Sequence, residues 1–156
     1  MVSQHTQPVS EPFVLEQIDT TLIPAANRTD GTANSWTAIW KFQVPAGQGM
    51  VLGPDDYFAA YLEDTSPAEV GSNTCRVRIS VRDTAESDSR VIFGPRPYIA
   101  VKEFQDRRKI ARLGITKAVK VYEEQVIVIE VYDDAIVDES DSQFMLEMTR
   151  TRQGLG

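Results

Sequence analysis

The sequence predicts an all-β chain, an antiparallel β-sandwich of about eight to ten strands with at most one short helix. Three observations carry this. Short apolar runs alternate with period two, turn signals built on Gly, Pro and Asp-Gly divide them, and no stretch has the strand–helix–strand rhythm of a parallel sheet. Nine Gly and eight Pro in 156 residues are ordinary usage, so they act as punctuation and not as low complexity. A chain of this length favours one domain with a substantial core, burying roughly 68–70% of its unfolded surface.

Residues 1–12 (MVSQHTQPVSEP) read as an extended N-terminal arm, because Pro8 and Pro12 bias the residues before them away from helix. Residues 13–156 then form the single β-sandwich domain. Phe13 to Ile23 is apolar and β-branched and stops at Pro24; the polar loop Asn27 to Ser35 carries the turn dipeptide Asp30-Gly31. In Trp36 to Val44, alternation puts Trp36, Ala38, Trp40, Phe42 and Val44 on one face, which reads as inward. Met50 to Leu52 is closed by Gly53-Pro54, and Tyr57 to Glu63 is followed by a loop with Pro67, Gly71 and Asn73. Cys75 to Asp83 alternates most cleanly, with Cys75, Val77, Ile79 and Val81 on one side and Arg76, Arg78, Ser80 and Arg82 on the other. That is the pattern of a strand covering a core on one side only.

After a polar turn, Val91-Ile92-Phe93 is broken by Gly94-Pro95-Arg96-Pro97 and resumes at Tyr98 to Val101. Glu103 to Leu113 alone has helix-forming composition, with Phe104, Arg107, Arg108 and Ala111 along one face, and reads as a short helix or an ordered loop ending at Gly114. Strands return at Ile115 to Tyr122, Gln125 to Tyr132 and Gln143 to Thr151, the first two joined tightly through Glu123-Glu124. The long connections 24–35 and 64–74 suit a jelly roll better than an immunoglobulin-type sandwich.

One Cys and one His exclude a disulfide framework, a Cys/His zinc site and the usual His-dependent nucleophile machinery. His5 lies in the polar arm and Cys75 on an apolar strand face, where it reads as a small buried hydrophobe. Carboxylate-only catalysis needs two acids facing across a cleft. Asp55-Asp56 and Glu63-Asp64 are the candidates, but adjacent acids in turns are common. The expectation is no enzyme, no cofactor and no catalytic residue.

Sixteen basic against twenty-three acidic residues give a net charge of -7, a field that repels nucleic acid and anionic membranes. The charge is unevenly placed. Lys102, Arg107, Arg108, Lys109 and Arg112 form a basic block, and Asp133, Asp134, Asp138, Glu139 and Asp141 an acidic one. Each is either a solvated loop face or a docking patch through which copies attract one another. The acidic block also offers calcium ligands, although its spacing departs from the EF-hand loop. The basic block has only Phe104 among its charges, so nucleic-acid contact is allowed but not favoured. Arg76, Arg78 and Arg82 either guard a sheet edge or anchor an interface. Trp36 and Trp40 are either core or a stacking platform for a sugar ring.

A polar arm ahead of one β-domain spanning Phe13 to Arg152, with Val44-Pro45-Ala46-Gly47 leading into Tyr57-Phe58-Ala59-Ala60-Tyr61-Leu62, resembles the single jelly-roll structural proteins of virus particles, capsid and capsid-decorating subunits among them. The resemblance implies a non-enzymatic subunit that self-assembles with its own copies and with other particle proteins, located in the virion. The alternative is a carbohydrate-binding or adhesion module with a structural calcium site. The start of the chain lacks the apolar segment of a secretory signal, and no run approaches the ~18 apolar residues of a membrane span. No membrane partner is expected, and outside a virion the location would be cytoplasmic.

Overall fold

Period-two alternation is carried into burial most plainly at the centre of the chain. The computed structural model describes residues 8–17, 23–71, 74–102, 113–115 and 117–153. Among them Cys75, Val77, Ile79 and Val81 are all buried, as their spacing predicts. The strands are β1 (Pro8–Gln17), β2 (Thr37–Gln43), β3 (Gln48–Leu52), β4 (Phe58–Asp64), β5 (Arg76–Arg82), β6 (Ser89–Pro97), β7 (Val119–Val121), β8 (Val126–Tyr132) and β9 (Val137–Gln153). The helical content of the described residues is two three-residue 3-10 turns, Ala25–Asn27 and Tyr98–Ala100.

The strands form two antiparallel sheets. One has the order β1-β9-β3-β7, with β4 also on β9; the other has the order β2-β8-β5-β6. Pairing is nested: β1 with β9, β2 with β8, β3 with β7, β5 with β6. This is one long hairpin rolled up on itself, the double-sheet jelly roll. β9 is the seam. Along one side it pairs β1 from Pro8↔Gln153 to Gln17↔Phe144, and along the other it pairs β4 at its start and β3 at its end.

The strand β1 reaches back to Pro8, so 8–12, read from the sequence as part of the arm, belong to the sheet. Proline excludes helix but is tolerated in an edge strand, and β1 has only β9 beside it. Residues 1–7 lie outside the described residues, as does 103–112, nearly all of the segment read as a short helix. Leu113, at its end, is buried and donates its N–H to Asp56 O at 2.8 Å.

Two strands depart from simple alternation. In β2 the register shifts between Ala38 and Trp40, so that Ile39 and Trp40 are both buried. The bulge inserts one extra residue, which turns Trp36 away from the face that Trp40 occupies. In β9 the pairing passes from Tyr61↔Gln143 to Glu63↔Asp138, so Leu62 alone lies opposite 139–142. Ser142 closes this bulge: Glu63 N donates to its Oγ at 3.1 Å, and Oγ donates to Asp138 O at 2.6 Å.

The core lies between the two sheets and is pinned by rings from both. Trp40 of β2 meets Phe144 of β9 with centroids 4.5 Å apart, and Phe58 of β4 meets Phe93 of β6 at 6.2 Å. Such tilted pairs add about 0.5–1.5 kcal/mol each beyond area burial. Gly94 marks a bend in β6: its φ is +84°, and a Cβ there would stand 2.8 Å from Val77 O.

Candidate assembly surfaces

The outer face of the β2-β8-β5-β6 sheet carries the most organised polar group of the described surface. Every residue of β8 from Val126 to Val131 is buried, on both faces. Ile127, Ile129 and Val131 join the core. Glu130, on the opposite face, is only 4% exposed, between Ala38 of β2 and Arg78 of β5. A carboxylate so enclosed needs donors, and it has them. Arg78 donates Nε at 2.8 Å and Nη2 at 2.6 Å to Oε2, and Ser80 Oγ donates to Oε1 at 2.8 Å. Arg82 Nη2 stands 3.6 Å from Oε1. The chain of charge continues from Arg82 Nη1 to Glu86 Oε1 at 3.1 Å, and Lys41 Nζ meets the same oxygen at 3.0 Å. The Lys41 ammonium and Arg82 hold the Glu86 carboxyl below its ordinary range against the opposing effect of partial burial. Above this network Arg78 lies 4.1 Å from the centroid of Trp36, which packs on Tyr132 at 5.8 Å.

These contacts separate the three arginines. Arg78 and Arg82 are spent on Glu130, whereas Arg76 is exposed and makes no ion pair among the described residues. The edge-guarding reading is corrected, since β5 is an interior strand between β8 and β6. The pairing of the tryptophans on one inward face is corrected too. Trp40 is core, and Trp36 sits on the outside beneath Arg78. The two rings therefore form no common platform, and the sugar-binding alternative gains no support.

Of the basic block, Lys102 pairs with Glu69; Arg107, Arg108, Lys109 and Arg112 lie outside the described residues, as does His5. The acidic block is dispersed over several tasks. Asp138 Oδ1 accepts from Ser140 N at 2.9 Å and Ser140 Oγ at 2.7 Å, which shapes the β9 bulge and lowers the Asp138 pKa. Glu139 Oε2 accepts from Gln17 Nε2 at 3.2 Å and stands 3.7 Å from Arg28. Asp134 and Asp141 are exposed. Among the described residues, no three Asp, Glu, His or Cys side chains gather to hold a metal ion. Of the acids considered for catalysis, two cap turns, Asp56 Oδ2 accepting from Gly53 N at 2.7 Å and Asp64 Oδ1 from Ser66 N at 2.8 Å, and Glu63 Oε1 accepts from Tyr61 Oη at 2.9 Å.

Asp133 is the exception, 3% exposed with Oδ1 lacking any hydrogen-bond partner. Burial raises its pKa. Burial, with the nearby charge of Asp133 and Asp134, pushes the Cys75 thiol up to about 12, which leaves it an inert hydrophobe. A carboxyl with a raised folded pKa destabilises the native state once charged, and that cost vanishes as the pH falls below its unfolded value. Asp133→Asn is therefore expected to stabilise the protein at neutral pH, by on the order of 1 kcal/mol. The advantage shrinks on acidification, as urea titrations at several pH values will read; an advantage independent of pH would refute the assignment.

Sequence reasoning missed Glu130 and Ser142. The signal for Glu130 was a lone carboxylate in an apolar strand, opposite an arginine stripe on another strand. Joining the two required the β5·β8 register.

Solved structures share this fold. The chain is similar to a chain of the complex of VP16 and VP17, the two major capsid proteins of bacteriophage P23-77, with a TM-score of 0.61 and 8% identity over 92% of this chain and 99% of that one. It is also similar to VP17, a capsid protein of the same phage, with a TM-score of 0.59 and 8% identity over 94% of this chain and 96% of that one. No protein family and no curated protein matches the sequence. The resemblance expected from the sequence thus holds at the level of fold.

Proposed function

We propose that the chain is a structural, non-enzymatic subunit of a virus particle, a rigid tile that assembles with its own copies and with other particle proteins in the virion. The fold shared with two capsid-protein structures over more than nine-tenths of the chain carries this reading. The engagement of acids in turns and ion pairs supports function on surfaces over function in a pocket. A net charge of -7 favours protein partners over nucleic acid. Among the described residues, no helix is long and apolar enough to cross a membrane.

Light scattering and negative-stain electron microscopy of the purified protein across a concentration series test this. Sheets, shells or discrete oligomers that grow with concentration are expected. A strictly monomeric species at every concentration, alone and with the other proteins of its particle, overturns it.

A further inference from the structure

We infer that one corner of the outer β2-β8-β5-β6 face is a self-complementary contact through which two copies of the chain pair about a two-fold axis. This rests on the subunit reading above and names its partner as a second copy. The corner brings together residue types that dominate interface energetics, Trp, Tyr and Arg. Trp36 and Tyr132 pack with centroids 5.8 Å apart, and both are half-buried. Arg76 is the cross-strand partner of Tyr132. Arg78, clamped by Glu130, lies on Trp36 and fixes the ring before any partner arrives. A surface ordered in advance loses less freedom on binding.

The charges of this corner supply the choice of partner. Arg76 is exposed and unpaired among the described residues. Asp134, two positions beyond Tyr132, is exposed and makes no ion pair among them either, and Ile136 on the same connection is 42% exposed. A corner that carries a cation and a carboxylate, neither of them in an ion pair among the described residues, is complementary to its own image. A two-fold rotation sets Arg76 of each copy against Asp134 of the other, with the aromatic pair between them. A phosphate backbone would meet Asp134, and a sugar would find one face of Trp36 already occupied by Arg78. Both fit less well than a second copy.

Charge reversal tests this by analytical ultracentrifugation of the full chain. Arg76→Glu alone and Asp134→Lys alone are each expected to weaken self-association ~tenfold or more, by setting like charges together twice in the pair. An equimolar mixture of the two is expected to recover it, since each new charge meets its opposite. Unchanged melting of both variants shows that they fold. Self-association of both single variants at the parent strength overturns the contact, as does a mixture that fails to recover. Particles that form normally from both variants overturn it while leaving the shell reading intact. Dimers that obey the mixing rule but never build a particle support it and count against the shell reading. A parent monomeric at all concentrations sinks both. Quenching of Trp36 by added sugar, with association indifferent to both reversals, assigns the corner to a carbohydrate and overturns the contact as well.

Discussion

Glu130→Ala is expected to lower the unfolding free energy by about 3 kcal/mol, the low end of the range for breaking a buried ion pair. The substitution removes the acceptor of three hydrogen bonds and leaves Arg78 without its counter-charge, while Arg82 keeps Glu86 at 3.1 Å. The loss stays at the low end because the arginine side chains retain 25% and 22% exposure and can turn towards water. For a chain of this size the Tm should fall by roughly 6–12 °C. Glu130→Gln, which keeps the volume and one acceptor, should fall between. Replacing both partners with apolar side chains, Glu130→Leu with Arg78→Met, should recover most of the loss, because neither change then strands a charge. A loss under about 1 kcal/mol for Glu130→Ala would make the network an ordinary surface ion pair.

Phe144→Ala acts on the other side of the same sandwich and should cost about 4 kcal/mol, within the 3–5 kcal/mol typical of truncating a buried ring. Phe144 is fully buried and touches rings from both layers, Trp40 at 4.5 Å and Phe58 at 6.3 Å. Its removal opens a void at the point where β2 and β9 meet, and the strands around it are held by ladders that limit collapse. Urea unfolding followed by tryptophan fluorescence reads both the stability and the setting of Trp40. A cost below about 2 kcal/mol would mean that the sheets close over the gap.

Much of the fold was legible because the strongest cue, alternation, is local. The inward set Cys75, Val77, Ile79 and Val81 needed nothing but its own spacing. The misreading of Trp36 has a different origin: no Gly or Pro marks the β2 bulge, and one added residue reverses every side chain beyond it. The polar stretch Asp138 to Ser142 looked like a loop because its bonds to Glu63, Gln17 and Arg28 join residues remote in sequence. Strand order was illegible for the same reason. The candidate surfaces were visible as charge, but which arginine is spent and which is free depends on the single carboxylate of Glu130 across the ladder.

The long seam strand has a consequence for how the molecule is made. β9 is the last of the described strands, and β1, β3 and β4 all pair with it. Until the ribosome has released 137–153, β1 and β4 have no neighbour in that sheet, and β3 has only β7. Contacts of such wide sequence separation slow folding. The nascent polypeptide therefore carries β1 unclaimed until 137–153 emerge to pair with it.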